Sequence, residues 1–315
     1  MKLLLVASDR ASGLALRESF RKLGHDVTVL ENGQQAWDAW RNEEYPVLIC
    51  DWTIPGLDGL TLCRKIRAEQ RANYTYVILL ATRSGMGVYV EGVNAGADDL
   101  ITKPFDEELL AARLHVAQRM LALHSALRVQ ATHDPLTGLL NRGAILDGLQ
   151  RELQRASREG GCIGVIMVDL DHFKHINDCH GHLIGDAVLQ ESASRMHSVL
   201  RSYGQIGRYG GEEFLMVVPG HDETLASTVA ERIRTCVCAA PIPTSAGPLS
   251  VTISLGVVTA LGNHPGQADQ LIAAADIALY RAKHAGRNRV EVFDRSTRTD
   301  TGSAVSPATA EKPTS

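Results

Sequence analysis

The 315-residue sequence has no excess of positive charge, no long apolar run and no paired-cysteine spacing. Its 32 Lys and Arg stand against 36 Asp and Glu, a net charge of -4, so the chain offers no basic footprint and nucleic-acid binding is not expected. The opening Met1-Lys2-Leu3-Leu4-Leu5-Val6 is broken by Ser8 and Asp9, too short for a secretory h-region. No later apolar stretch approaches the length needed to cross a bilayer, so the expectation is a soluble, cytoplasmic protein without membrane insertion. The six cysteines (50, 63, 162, 179, 236 and 238) are scattered, and the one tight pair, Cys236 and Cys238, lies in an apolar helix end. They read as reduced core residues rather than a metal site. What is present is ordinary globular composition, 44% hydrophobic and 22% charged, on a chain longer than one core usually serves. Two domains and a small ligand are the expectation.

From Lys2 to about Gln118, short apolar runs at 3–6, 27–30, 47–50, 77–80 and 100–101 alternate with amphipathic segments. That alternation predicts α/β architecture: a doubly wound, parallel, five-stranded sheet with its ligand site at the carboxyl ends of the strands. Residues 106–131 carry no glycine or proline and place Leu109, Leu110, Leu114, Val116, Met120, Leu121 and Leu127 at helical spacing. One long helix is predicted. Such a helix is either a core helix or a dimerising coiled coil, and its length past the first domain favours dimerisation.

A second alternation follows: helix 144–158, strand 163–169, helix 187–200, a hairpin around Gly210-Gly211, helix 225–237, strand 251–259, helix 270–284 and strand 290–293. The hairpin brings in an antiparallel component, so a mixed α/β palm is expected. The domains are read as 1–118, a helical linker 119–132, a second domain 133–294, and a tail 295–315 whose Thr, Ser, Ala and Pro content predicts disorder.

The apolar run 163–168 ends in Asp169-Leu170-Asp171, so its carboxylates are expected where a buried strand meets solvent. A hairpin tip of Gly210-Gly211-Glu212-Glu213-Phe214 can bring two more carboxylates opposite. Acids converging on one point repel unless a divalent cation lies between them, and oxygen-only ligation suits Mg²⁺. The two glycines would allow positive φ and a close nucleotide approach. These five residues fit a solvated turn equally well.

The longer stretches resemble the GGDEF family of diguanylate cyclases. They are Asp134-Pro135-Leu136-Thr137-Gly138-Leu139-Leu140-Asn141-Arg142, DLDHFKHINDCHGHLIGD (169–186), RYGGEEF (208–214), ISLGV (253–257) and ADIALYRAKHAGRNRV (275–290). The resemblance implies a polymerase-palm-like fold and condensation of two GTP into cyclic di-GMP with release of two pyrophosphates. It implies metal ligation by Asp169, the Leu170 carbonyl and Glu213, with Mg²⁺ or Mn²⁺ as cofactor. Glu212 is implied as the acid that helps deprotonate the ribose 3′-OH. Asn177 and Asp186 are implied as guanine readers, and Lys174, Lys283 and Arg287, with backbone amides near Phe173, as triphosphate clamps. Without the resemblance, Lys283, Arg287 and Arg289 read as an exposed basic helix end. His180 and His182 read as loop residues, not ligands. Cyclisation implies a homodimer with two half-sites face to face. One departure concerns the inhibitory Arg-x-x-Asp that many members carry: here Arg201 is kept but Gly204 stands for the aspartate, implying weak product inhibition.

Residues 1–118 resemble the response-regulator receiver family, a flavodoxin-like fold. Asp51, after Val47-Leu48-Ile49-Cys50, matches the phosphoacceptor, and Lys103 in GADDLITKPF (96–105) matches its lysine partner. Where the family has paired acids after the first strand, this chain has Ala7-Ser8, with Asp9 one place late, and Ala81 takes the switch position beside Thr82. A one-residue shift near a strand end aims a side chain at the other face, so the receiver's metal site reads as degenerate. Phosphorylation of Asp51 by a sensor histidine kinase and use of the domain for docking both fit. An active, receiver-regulated cyclase is the reading; the alternative is a catalytically silent GTP or cyclic di-GMP effector.

Overall fold

The computed structural model describes residues 1–69, 71, 73–200, 203–262 and 268–294, so Arg201 and the expected disordered tail lie outside the described residues. The chain divides into two compact units, the first Met1–Val129 and the second from Gln130 onward.

In the first unit, β1 (Lys2–Val6), β2 (Asp26–Leu30), β3 (Val47–Asp51), β4 (Tyr76–Ala81) and β5 (Asp99–Thr102) form one parallel sheet in the order β2-β1-β3-β4-β5. Helices α1 (Arg10–Lys22), α2 (Gly33–Asn42), α3 (Gly59–Ala68), α4 (Met86–Asn94) and α5 (Glu107–Thr132) connect and follow the strands. The strands read as continuous apolar runs because both faces are covered. Leu4, Val6, Leu48 and Cys50 join a core with Trp37, Trp40 and Leu62, whereas Leu3, Leu5 and Ile49 join Phe20, Leu110 and Leu114 on the other face. Three helix starts have a local cause: Asp9, Asn32 and Asp58 cap α1, α2 and α3 by accepting from first-turn amides. In α5 the buried residues are Leu110, Leu114 and Ala117, while Leu123, Leu127 and Val129 further along are exposed.

In the second unit, α6 (Arg142–Glu159), β6 (Cys162–Leu170), α7 (Phe173–His180), α8 (His182–Leu200), β7 (Gln205–Arg208), β8 (Glu213–Pro219), α9 (Glu223–Cys238), β9 (Ile242–Thr244), β10 (Gly247–Leu249), β11 (Ile253–Leu261), α10 (Ala268–His284) and β12 (Val290–Val292) follow in turn. The main sheet has the order β12-β11-β6-β8-β7; β6, β7, β8 and β11 pair antiparallel and β12 lies parallel to β11. The mixed palm expected from the hairpin is the observed architecture. Helices α8 and α9 cover one face through Val188, Met196 and Ile233, and α6 and α10 cover the other through Ile145, Leu149 and Leu279. Two elements were not read from the sequence: α7, a short helix of polar character, and the small β9–β10 hairpin. Among the described residues no helix is long and apolar enough to cross a membrane.

Gly256 lets α10 lie directly on β11. A Cβ at that position would stand 2.1 Å from the Ala275 carbonyl oxygen and 2.2 Å from the Leu279 nitrogen, both rigid backbone atoms. Gly256→Ala must therefore push the helix off the sheet, at a cost of about 1–3 kcal/mol or more. Urea unfolding is expected to show a lower midpoint for this variant, and an unchanged midpoint would contradict the packing.

Candidate active site

Strand β6 is buried along nearly its whole length, and its penultimate residue Asp169 stands directly opposite Glu213, the first residue of β8. Across the other edge Asp169 faces Ser254 of β11. Its carboxylate is 5% exposed and its Oδ2 lies 2.7 Å from Lys283 Nζ, near the end of α10. Burial pushes the Asp169 carboxyl up to about 6; Lys283 pulls it down, and the charges of Glu212 and Glu213 raise it further. The Leu170 amide donates to the Glu212 carbonyl at 3.4 Å, and the Leu170 side chain is in the core, which leaves only its backbone for a site.

The tip of the hairpin is held from a distance. Arg208 donates to the Gly211 carbonyl through Nε at 3.0 Å and Nη2 at 2.8 Å, while its Nη1 reaches both oxygens of Asp134 at 3.2 and 3.3 Å. Asp134 also accepts from the Thr137 amide and hydroxyl. Burial raises the Asp134 carboxyl, but the Thr137 and Arg208 donors outweigh it and hold the group below its ordinary value. Gly210 and Gly211 do not adopt positive φ, contrary to the expectation from the sequence. A Cβ on Gly210 would meet Glu213 Oε2 at 2.9 Å, the movable end of a side chain, and one on Gly211 would meet nothing within 4 Å.

Asp171 does not join the acids. Its Oδ1 accepts from Ser254 Oγ at 2.7 Å and its Oδ2 from Thr252 Oγ1 at 2.7 Å and from the Asn288 amide at 3.0 Å. Among the described residues no three His, Cys, Asp or Glu side chains form a metal-holding group. The expected convergence of three or four carboxylates is therefore not seen as one group: Asp169 stands opposite Glu213 across the strands, and the Asp171 side chain turns to Thr252, Ser254 and Asn288.

The remaining residues named from the sequence sit on α7, α8 and the turn after α10. His172, at φ 58°, turns the chain into α7, whose first amides lack helical acceptors. The Phe173 side chain is core, 6% exposed, so its amide is what it can offer a ligand. Lys174 is exposed; Asn177 and Asp186 are half-buried. Asn177 lies over Gly185, where a Cβ would stand 1.9 Å from Asn177 Oδ1 and force the side chain to move. Arg287 is exposed on a turn where Gly286, Arg287 and Asn288 all have positive φ, at 111°, 59° and 47°. Among the described residues no ion pair joins Lys174, Asp186 or Arg287 to the acids; the cation paired with Asp169 is Lys283.

Sequence reasoning missed the Asp134–Arg208 clasp. The signal was present as Asp-x-x-Thr, the pattern of a side-chain-capped turn, in a stretch matched without a role.

In the first unit Asp51 ends β3, 3% exposed, with Oδ1 2.5 Å from Lys103 Nζ. Its Oδ2 accepts from the Ser8 amide at 2.8 Å and the Ser8 hydroxyl at 2.7 Å. Asp9 is turned away, its carboxylate accepting from the Ala11 and Ser12 amides and the Ser12 hydroxyl. Ala81 is buried.

Fold and site together describe a parallel receiver-like sheet and a palm whose acids meet at a glycine hairpin. The family model for "Diguanylate cyclase, GGDEF domain" matches residues 131–289, and that for "Response regulator receiver domain" matches residues 3–115. The chain belongs to the GGDEF diguanylate cyclase family and carries a response-regulator receiver domain ahead of the GGDEF domain. It is 44% identical over 174 residues to diguanylate cyclase DgcP of Pseudomonas aeruginosa, covering 54% of this chain and 26% of that protein. It is 34% identical over 253 residues to response regulator PleD of Caulobacter vibrioides, covering 78% of this chain and 56% of PleD. The chain thus spans about a quarter and just over half of these relatives. The crystal structure of the coiled coil and GGDEF domain of DgcB from Caulobacter crescentus, in complex with c-di-GMP, is 33% identical with a TM-score of 0.54, covering 59% of this chain and 98% of that one.

The position of Asp169 has a measurable consequence. With its carboxyl raised from 3.8 to about 6, the folded chain holds the proton more tightly than the unfolded one. Below about pH 4 the group is protonated in both states and carries no penalty; stability is lost as pH rises through about 6. In metal-free buffer near pH 8, Asp169→Asn is expected to raise the melting temperature by a few degrees, since 1 kcal/mol moves a domain of this size by roughly 2–4 °C. The gain should fade toward about pH 4, and a variant that melts lower at pH 8 would contradict the assignment.

Proposed function

We propose that this chain is a diguanylate cyclase that condenses two GTP into cyclic di-GMP and two pyrophosphates. The observation that carries the reading is the pairing of Asp169 with Glu213 across β6 and β8, with Lys283 at 2.7 Å. A silent effector has no need of a buried, charge-stressed aspartate beside two glutamates, so the arrangement favours an enzyme over a binding protein.

Asp169, the Leu170 carbonyl and Glu213 would hold Mg²⁺ or Mn²⁺. The donors are all oxygen, as hard cations require, and Asp169 is buried opposite Glu213, where a divalent cation would offset the cost of burying its charge. Bound there, the cation supplies charge stabilisation to the attacking and leaving oxygens. The other tasks fall to the chain. Glu212 accepts the proton of the ribose 3′-OH. Asn177 and Asp186 read the guanine edge with an amide and a carboxylate, and Asp186 favours guanine over adenine. Lys174, Lys283, Arg287 and the Phe173 amide offset the triphosphate charge. The 3′-oxygen of one GTP attacks the α-phosphorus of the other in line as pyrophosphate leaves. Because each domain holds one GTP, the working species is a homodimer of two-fold symmetry. The exposed Leu123, Leu127 and Val129 of α5 support a helix-to-helix contact.

Product inhibition is weak in this reading. Residue 204 offers no carboxylate, and a Cβ there would stand 2.0 Å from the Val217 carbonyl oxygen. The receiver serves regulation. The Lys103 contact supports Asp51 as a phosphoacceptor for a histidine kinase, but Ser8 occupies its other oxygen and Asp9 is spent on capping α1. These two contacts favour a docking module without metal-dependent phosphotransfer.

Purified protein incubated with GTP and Mg²⁺ is expected to yield cyclic di-GMP and pyrophosphate by chromatography, and Glu213→Ala to yield neither. Added cyclic di-GMP should slow the wild type little. GTP bound but unconverted at high protein concentration, also when the second domain is forced to dimerise, would overturn the enzyme reading. Treatment with a small phosphodonor and Mg²⁺ is expected to leave no acyl phosphate on Asp51, and a labelled product absent from Asp51→Asn would restore phosphotransfer.

A further inference from the structure

Asp171 is a buried carboxylate, 4% exposed, that the proposed chemistry does not use. It lies two residues past Asp169 and collects three donors from two other places in the chain: the Thr252 and Ser254 hydroxyls at β11, and the Asn288 amide after α10. Its own amide donates to the Thr252 carbonyl at 2.9 Å, which closes the bond between the end of β6 and the start of β11.

The Asn288 amide belongs to the turn on which Gly286, Arg287 and Asn288 all take positive φ. Arg287 and Asn288 carry side chains, and such residues keep that backbone only where the surroundings fix it. Further bonds help: the Arg287 amide donates to the Ala282 carbonyl at 3.0 Å, Arg234 Nη1 to Asn288 Oδ1 at 2.7 Å, and the Leu255 amide to the Arg289 carbonyl at 2.9 Å. Asp171 Oδ2 is the contact that ties this turn directly to the strand bearing Asp169. A side chain needed only for packing at this depth could be apolar at no cost, because removing a carboxylate from water is expensive. What the carboxylate adds is direction: three convergent donors fix it, and it fixes the turn.

We infer that Asp171 is a positioning residue that aims Arg287 at the triphosphate and holds it in register with the Asp169–Lys283 pair. The inference rests on the reading of Arg287 as a phosphate clamp. Asparagine can stand in for Asp171, because its amide oxygen still accepts from Thr252 and Asn288 while its NH₂ donates to the Ser254 hydroxyl, which can also accept. Alanine cannot.

The test is a double-mutant cycle on the full chain, reading KM and kcat for GTP together with the melting temperature. Asp171→Ala is expected to raise KM about tenfold, the loss of one charge-assisted bond, with kcat changed less than about twofold. Asp171→Asn is expected to return KM to within about threefold of the wild type. In the Arg287→Ala background, Asp171→Ala should add less than about twofold, since the side chain it aims is gone. The same tenfold cost in both backgrounds, or a lower melting temperature with KM unchanged, would overturn the inference. If Arg287→Ala alone leaves KM unchanged, the clamp reading itself fails, and that single variant tells the two failures apart. Should Asp171→Ala not fold, hydrogen exchange on the wild type decides: the amide of exposed Asn288 is expected to be strongly protected, and free exchange would overturn the tie.

Discussion

The antiparallel pairing of β6 with β8 is the constraint on which the second domain depends. It sets Asp169 opposite Glu213, and everything else at the site is arranged to make that placement tolerable. Lys283 offsets part of the charge from α10, and Gly256 allows α10 to lie close enough on β11 to deliver it. Arg208 holds the hairpin tip through the Gly211 carbonyl while anchored to Asp134. The site is thus a small store of electrostatic stress, held by a sheet buried on both faces. Stress of this kind is what a functional site costs in stability and what a stability-driven sequence would remove.

The same logic appears in the first domain with the opposite outcome. Asp51 also ends a buried parallel strand beside a lysine, but its second oxygen is satisfied by the amide and hydroxyl of Ser8. In the second domain burial raises the Asp169 carboxyl, with Lys283 opposing and Glu212 and Glu213 adding to the rise.

Much of this was legible in the sequence because it follows from burial. The strands of the first domain stand out as apolar runs, since parallel strands are covered on both sides, and the structure extends each by a residue or two without moving any. The hairpin at Gly210-Gly211 was visible in the same way. What could not be read are the contacts made over long separations. Arg208 and Asp134 lie 74 residues apart, and Asp171 and Asn288 are 117 apart. Asp171 was expected beside Asp169 because both close one strand, yet side chains at such an end are free to turn, and β11 offered it two hydroxyls. The glycines of the hairpin were expected at positive φ, which neither adopts. Roles for Asn177, Asp186, Lys174 and Arg287 came from family resemblance alone, since polar residues on α7, α8 and an exposed turn carry no periodic signal of their task.

The most direct test of the account is whether the acids at the β6–β8 junction bind a divalent cation together with nucleotide. Calorimetric titration of Mn²⁺ into the full chain with a non-hydrolysable GTP analogue should give saturable binding that disappears in both Asp169→Ala and Glu213→Ala while the chain stays folded. Equal Mn²⁺ binding by wild type and both variants would contradict it.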